Sequence, residues 1–215
     1  MPARPSKLVC FDLGGVLIRI CSGWPEVLQR MNVTVDVDIE QAIRDEADDP
    51  LVHEYETGRI DTDKFCRRLA GTFSVEPDVV LQALDTWLLG PCGDIGRVLD
   101  RLHAADVATA CLSNTNARHW SHMTGEGHAR LPLDRLTWRF ASRQVGMMKP
   151  DPRLYRHVEA ETRIEPEAIL FFDDREENLA PAAERGWRTH LIDPAGDTIA
   201  QMIEHLETTG VIAIS

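Results

Sequence analysis

Four separated places in the chain carry groups whose types fit one reaction: Asp12, Ser113, Lys149 and the adjacent pair Asp173-Asp174. A hard divalent cation such as Mg²⁺ takes carboxylate and carbonyl oxygens and keeps its remaining positions for water or phosphate oxygens. Asp12 and the Asp173-Asp174 pair can supply the carboxylates. A phosphoryl group brought to such a metal needs more donors, and the hydroxyl of Ser113 and the ammonium of Lys149 are of the right type to neutralise its charge. Asp12 can then attack phosphorus in line, giving an aspartyl phosphate that water hydrolyses.

The elements that must position these groups are legible as apolar runs. LVCFDLGGVL, Leu8 to Leu17, is an apolar segment that stops at Asp12 and breaks on Gly14 and Gly15. It reads as a buried strand delivering one carboxylate to a loop, although by itself it reads equally well as a core strand ending in a capping residue. Further runs lie at Val107 to Leu112, Leu136 to Ala141, Ile169 to Phe172 and Arg188 to Ile192. Between them stand helical patterns. Ile95, Val98, Leu99 and Leu102 follow Asp94; Leu154, Tyr155 and Val158 follow Asp151-Pro152; Ile199, Met202, Ile203 and Leu206 close on Gly210. Strands alternating with helices predict a doubly wound, mainly parallel α/β sheet. Chemistry in such a sheet collects at the carboxyl ends of the strands, where Asp12, Ser113-Asn114-Thr115-Asn116, Ser142 leading to Lys149, and Asp173-Asp174 all fall. The helix expected after Ser113 brings free N–H groups that favour an anion beside Asn114.

From about Ile20 to Gly90 the alternation breaks. Helix-like stretches at Lys64 to Leu69 and Val80 to Leu88, without a convincing strand, predict a helical insertion over 20–90 between two parts of a core, 1–19 and 91–215. Its expected limits are Cys21-Ser22-Gly23 and Gly90-Pro91-Cys92-Gly93.

Composition narrows the partners. A formal net charge of -12 repels nucleic acid and suits a cation site. No run approaches the roughly 18 apolar residues of a spanning helix, and MPARPSK is no signal peptide, so a cytoplasmic protein without a membrane partner is expected, as monomer or homodimer. Five cysteines without a close pair read as reduced packing residues.

The order FDLGGVL, LSNTN, MKPDPRLY and LFFDDREEN resembles the four motifs of the haloacid dehalogenase superfamily, in its phosphatase branch with a small helical cap. The pattern is similar to that of bacterial sugar-phosphate phosphatases of the α-D-glucose-1-phosphate type, which share the cap segment matched by His53, Glu56, Gly58 and Ile60. The resemblance implies a Rossmann-like core, Mg²⁺ as cofactor and a small phosphorylated metabolite, such as a sugar 1-phosphate, as substrate. It makes Asp12 the nucleophile and a metal ligand, the Gly14 carbonyl a second ligand, and Asp174 the direct ligand of the fourth motif. Asp173 would bind directly or through water, with Asn178 behind it. Ser113 and Lys149 would hold the phosphoryl group, assisted by Asn114.

One departure qualifies the match. Phosphatases of this superfamily commonly carry a second Asp two positions after the nucleophile, to protonate the leaving group; here that position is Gly14. A general acid is typically worth roughly a hundredfold or more, so its absence favours esters whose leaving group needs little protonation. Gly14 is equally compatible with a 2-haloacid dehalogenase, in which the aspartate attacks carbon and halide leaves without a proton, and with a catalytically idle binding protein. Against the dehalogenase, adjacent carboxylates near a third are costly without a cation. His53, Tyr55, Glu56 and Arg59, beside Gly58, are expected either in a loop that reaches over the phosphate or at an exposed polar helix end. His119 and His122 have the spacing to bind a metal but are expected on a solvated helix face, and Trp24 and Trp87 could contact a sugar ring but are expected in packing.

Overall fold

The structure, a computed structural model, describes residues 6–33 and 49–214. In chain order the strands are β1 (Leu8–Phe11), β2 (Ile18–Ile20), β3 (Leu88–Pro91), β4 (Ala108–Ser113), β5 (Trp138–Ala141), β6 (Ile169–Asp173) and β7 (Arg188–Leu191). The α-helices among the described residues are α1 (Trp24–Met31), α2 (Pro50–Glu56), α3 (Thr62–Phe73), α4 (Pro77–Trp87) and α5 (Ile95–Ala104). They continue with α6 (Ala117–Thr124), α7 (Ser142–Val145), α8 (Pro152–Thr162), α9 (Glu176–Glu184) and α10 (Thr198–Thr208).

Five strands form one parallel sheet in the order β5-β4-β1-β6-β7, as the apolar runs predicted. β1 sits at its centre because every residue is apolar and the two sets of side chains bury on opposite faces. Val9 and Phe11 join Val98, Leu99, Leu102, Met202 and Leu206 from α5 and α10. Leu8 and Cys10 join Leu154, Tyr155 and Val158 from α8. The helices start where the sequence supplies caps: Asp151 accepts from the Arg153 N–H, Asp61 from Lys64 and Asn116 from His119. All five cysteines are unpaired, four of them buried. Among the described residues no helix is long and apolar enough to cross a membrane.

The stretch from Ile20 to Gly90 corrects the expectation that it holds no strand; its residues 34–48 lie outside the described residues. β3 follows α4 without a break and pairs antiparallel with β2. Strands of three and four residues ending in Gly-Pro carry too little alternation to register against turn signals. Of the two readings of the segment before Gly58, the helix end holds for His53, Tyr55 and Glu56, which stand on α2. The described helices α1 to α4 share a hydrophobic cluster of their own, in which Trp24 meets Trp87 edge to face at 5.4 Å and Tyr55 stacks on Phe65 at 4.3 Å.

This cluster is tied to the sheet domain at two places. Ser142 Oγ donates to the Glu56 carbonyl at 2.6 Å and accepts from the Thr115 N–H at 2.9 Å. Beside it, Gly58 has φ +71° and lies so close to the Arg143 carbonyl that a Cβ would approach it to 2.3 Å. The other tie joins α4 to α6. Arg118 grips Asp85 with Nε at 2.6 Å and Nη2 at 2.8 Å, His122 Nε2 stands 2.8 Å from the same carboxylate, and His119 Nε2 donates to the Leu84 carbonyl at 3.0 Å. His119 and His122 are therefore seam residues and not a solvated face. Their partners are more than 30 residues away, where spacing carries no signal.

The seam makes stability pH-dependent. Desolvation pushes His119 from the usual 6.5 down to about 4, against the pull of the Leu84 carbonyl. The unfolded chain takes up a proton below about pH 6.5 that the folded ring refuses until about pH 4, so stability is full above that window and falls through it. Urea unfolding at pH 7.5 and pH 5 is expected to show a smaller loss for His119→Gln, which keeps a donor for Leu84, than for the parent protein; equal losses would refute the assignment.

Candidate active site

Phe11 is in register with Cys111 on one side and Phe172 on the other, so Asp12, Ser113 and Asp173 emerge together at the carboxyl ends of β1, β4 and β6. This is where the chain, having added β4 and β5 to one side of β1, crosses to the other, and where open α/β sheets bind ligands. The Oδ1 of Asp12 accepts the Leu13 N–H at 2.7 Å and lies 2.9 Å from Lys149 Nζ. Lys149 is 2% exposed and reaches Asp173 Oδ2 at 2.6 Å. Its backbone is clamped by the Asn114 side chain, which accepts from its N–H at 2.8 Å and donates to its carbonyl at 2.9 Å. Asp173, fully buried, also accepts from Asn178 Nδ2 and from the Arg175 N–H, each at 2.9 Å. Tyr155 fixes Asn178 from behind, donating its hydroxyl to the Asn178 carbonyl at 2.7 Å.

Asp12, Asp173 and Asp174 each offer an oxygen to one point, with these atoms within 4.8 Å of one another, around the single ammonium of Lys149. Burial raises Asp12 to about 7; Lys149 works against this and the charges of Asp173 and Asp174 add to it. Asp174 is raised for the same reasons, burial first and Asp173 next. Burial opposes the Lys149 ammonium, yet Asp12 and Asp173 outweigh it and hold its pKa above the ordinary value. Unbalanced buried charge costs several kcal/mol per ion, a cost that either a proton on one carboxyl or a bound cation would relieve. The cluster's donors are all oxygens, and the Gly14 backbone borders the same space, which fits a hard cation. Gly15 makes room for this: its φ is +71°, and a Cβ there would lie 2.3 Å from Asp174 Oδ2.

Above the carboxylates is a cavity of about 240 Å³. It is lined by Asp12, Gly14, Ser113, Asn114, Lys149 and Asp174 from the strand ends, by Trp24, Tyr55, Phe65, Leu84 and Trp87 from the helical cluster, and by Ile20, which adjoins Gly14. The Ser113 hydroxyl makes only a long 3.4 Å contact to the Asn114 carbonyl, leaving it able to turn to a ligand. Of the four residues expected to reach in from the helical segment, Tyr55 and Glu56, at the end of α2, line the cavity and His53 and Arg59 do not. The Asn114 side chain, expected to touch substrate, is taken up by Lys149. Ile20, Phe65, Leu84 and His119 also line the cavity without a local sequence signal for it; the meeting of the helical cluster with the strand ends brings them there.

The model of the haloacid dehalogenase-like hydrolases matches residues 6–186 of the chain. A solved HAD-like family hydrolase from Porphyromonas gingivalis is 27% identical with a TM-score of 0.77, over 94% of this chain and 98% of its own. A HAD family enzyme from Bacteroides thetaiotaomicron, solved with magnesium and inorganic phosphate, is 23% identical with a TM-score of 0.72, over 89% and 96%. Phosphatase MT3486 of Mycobacterium tuberculosis is 32% identical over 72 residues, which are 34% of this chain and 33% of that protein, so the chain spans only a third of this curated relative. With its sheet order, its carboxylate cluster and a family model that covers most of its length, the chain belongs to the haloacid dehalogenase-like hydrolases.

Proposed function

We propose that the protein is a Mg²⁺-dependent phosphomonoesterase that hydrolyses a small phosphorylated metabolite through an aspartyl phosphate on Asp12. The observation that carries this reading is the charge imbalance of three converging carboxylates around one ammonium. Displacing halide from a haloacid needs no cation and would leave the Asp174 charge unbalanced. The magnesium and phosphate held by the Bacteroides neighbour and the phosphatase named among the relatives agree with the reading.

In this reading Asp12, Asp174 and the Gly14 carbonyl hold the cation, and Asp173, whose oxygens are already engaged, acts from behind or through water. The bound cation supplies positive charge to the phosphoryl oxygens. Ser113 and Lys149 orient the phosphoryl group, Asn114 positions Lys149, and residues 20–90 act as a cap over the core. Leu13 N–H and Lys149 anchor one oxygen of Asp12 and so aim the other. That oxygen attacks phosphorus as the ester P–O bond breaks, the electron pair leaving on the ester oxygen. Water then attacks phosphorus, the bond to Asp12 breaks, phosphate departs, and a proton goes to solvent. With glycine at position 14 the departing oxygen must tolerate its own charge, a requirement that sugar 1-phosphates, acyl phosphates and aryl phosphates meet.

Asp12→Asn is expected to lower phosphate release by on the order of a thousandfold or more while the thermal transition stays cooperative; an active variant removes the proposed nucleophile. Mg²⁺ at a hundred times its Kd is expected to add about 2.7 kcal/mol to the parent protein's unfolding free energy, and Asp174→Ala to lose most of that gain. Gly15→Ala, which drives a methyl into Asp174, is expected to lower stability by about 1 kcal/mol or more and to weaken the Mg²⁺ response, as read by calorimetry.

A further inference from the structure

The cavity's lining has two kinds of chemistry, and the aromatic part bears on the leaving group. Trp24 and Trp87 meet there edge to face, Tyr55 lies flat on Phe65, and Leu84 adds to the wall, while Ile20 lines the cavity beside Gly14. Polar groups on this side are largely engaged with the protein itself. The Tyr55 hydroxyl pairs with Thr62 Oγ1 at 2.9 Å. His119 donates from Nε2 to the Leu84 carbonyl at 3.0 Å and faces Asn116 Nδ2 with Nδ1 at 3.1 Å. Ser22 donates its hydroxyl to Glu26 at 3.0 Å. Thr115, whose hydroxyl has no protein partner, and Glu56 also line the cavity, but the aromatic wall offers a sugar's other hydroxyls none, and each bond left unmade costs about 1–3 kcal/mol.

A second observation points the same way. At Gly14 a side chain would start 3.3 Å from the Ile20 Cδ1 atom, so a methyl-bearing residue borders the place from which a leaving-group acid would act. The ester oxygen must leave unprotonated and into apolar surroundings. Charge delocalised into a ring satisfies both conditions; the localised alkoxide of an ordinary alcohol satisfies neither.

Resting on the phosphatase reading above, we propose that this site selects monophosphates whose leaving group is a small, flat, apolar aryl group, in preference to a sugar. The phosphoryl group sits among Asp12, Ser113 and Lys149, and the ring enters between the tryptophan pair and Ile20. When the P–O bond breaks, the electron pair leaves as a phenolate, which takes its proton from solvent.

Aryl esters are intrinsically more reactive, so binding has to be measured apart from chemistry. The full chain with Mg²⁺ is tested for phosphate release from phenyl phosphate, acetyl phosphate and glucose 1-phosphate, and for competitive inhibition by phenylphosphonate and methylphosphonate, which cannot be hydrolysed. Burial of one ring at roughly 25 cal/mol per Å² predicts phenylphosphonate to inhibit at least about tenfold more strongly than methylphosphonate. Ile20→Thr keeps a β-branched residue at a position that is 37% exposed, and is expected to narrow that ratio several-fold while Mg²⁺ stabilisation is unchanged. Release from the panel with equal inhibition by the two phosphonates, or with glucose 1-phosphate preferred, overturns the aryl assignment and leaves the phosphatase reading standing. No release from any ester in the presence of Mg²⁺ overturns both.

Discussion

The buried ammonium of Lys149 between Asp12 and Asp173 is the interaction on which the rest of this molecule depends. Charges taken out of water are stable only when geometry and additional hydrogen bonds compensate the lost hydration. Here the compensation is layered. Asn114 fixes the lysine backbone, Asn178 and the Arg175 N–H fill Asp173, and Tyr155 holds Asn178. Asp174 stands outside this arrangement, its pKa raised by burial and by Asp173, and completes a group of three carboxylates that could hold a metal ion.

Such a cluster could exist only at a particular point of a particular sheet. Parallel pairing puts the ends of β1, β4 and β6 side by side, and the crossing of the chain from one flank of β1 to the other opens a crevice there. The helical cluster then covers the crevice, tied through Ser142 on one side and the Asp85 pairing on the other. Both ties connect groups far apart in the chain, so the cavity's shape depends on the seam as much as on either unit.

Position 14 links electrostatics to specificity. A glycine where a carboxyl would otherwise serve as leaving-group acid removes one negative charge from an already overcharged site. It also leaves the Ile20 side chain beside the space a longer residue would fill. In the proposed function the missing acid and the aromatic part of the lining select in the same direction, toward leaving groups that carry charge well in poor solvent.

The sequence by itself determined the five core strands and the helices between them, and offered Asp12, Ser113, Lys149 and Asp174 as candidates at strand ends, because hydrophobic period and strand-end position are local properties. It also determined that no acid stands at position 14. What only the tertiary structure decided is how those groups are spent: Asn114 on the Lys149 backbone, Asp173 on three donors, and His119 and His122 on the seam in place of solvent. The β2–β3 ribbon and the turning of Tyr55 and Glu56, but not His53 or Arg59, toward the cavity belong to the same category. In each case the deciding partner is distant in sequence, and hydrogen bonds and burial between distant segments leave no periodic trace in the residues that make them.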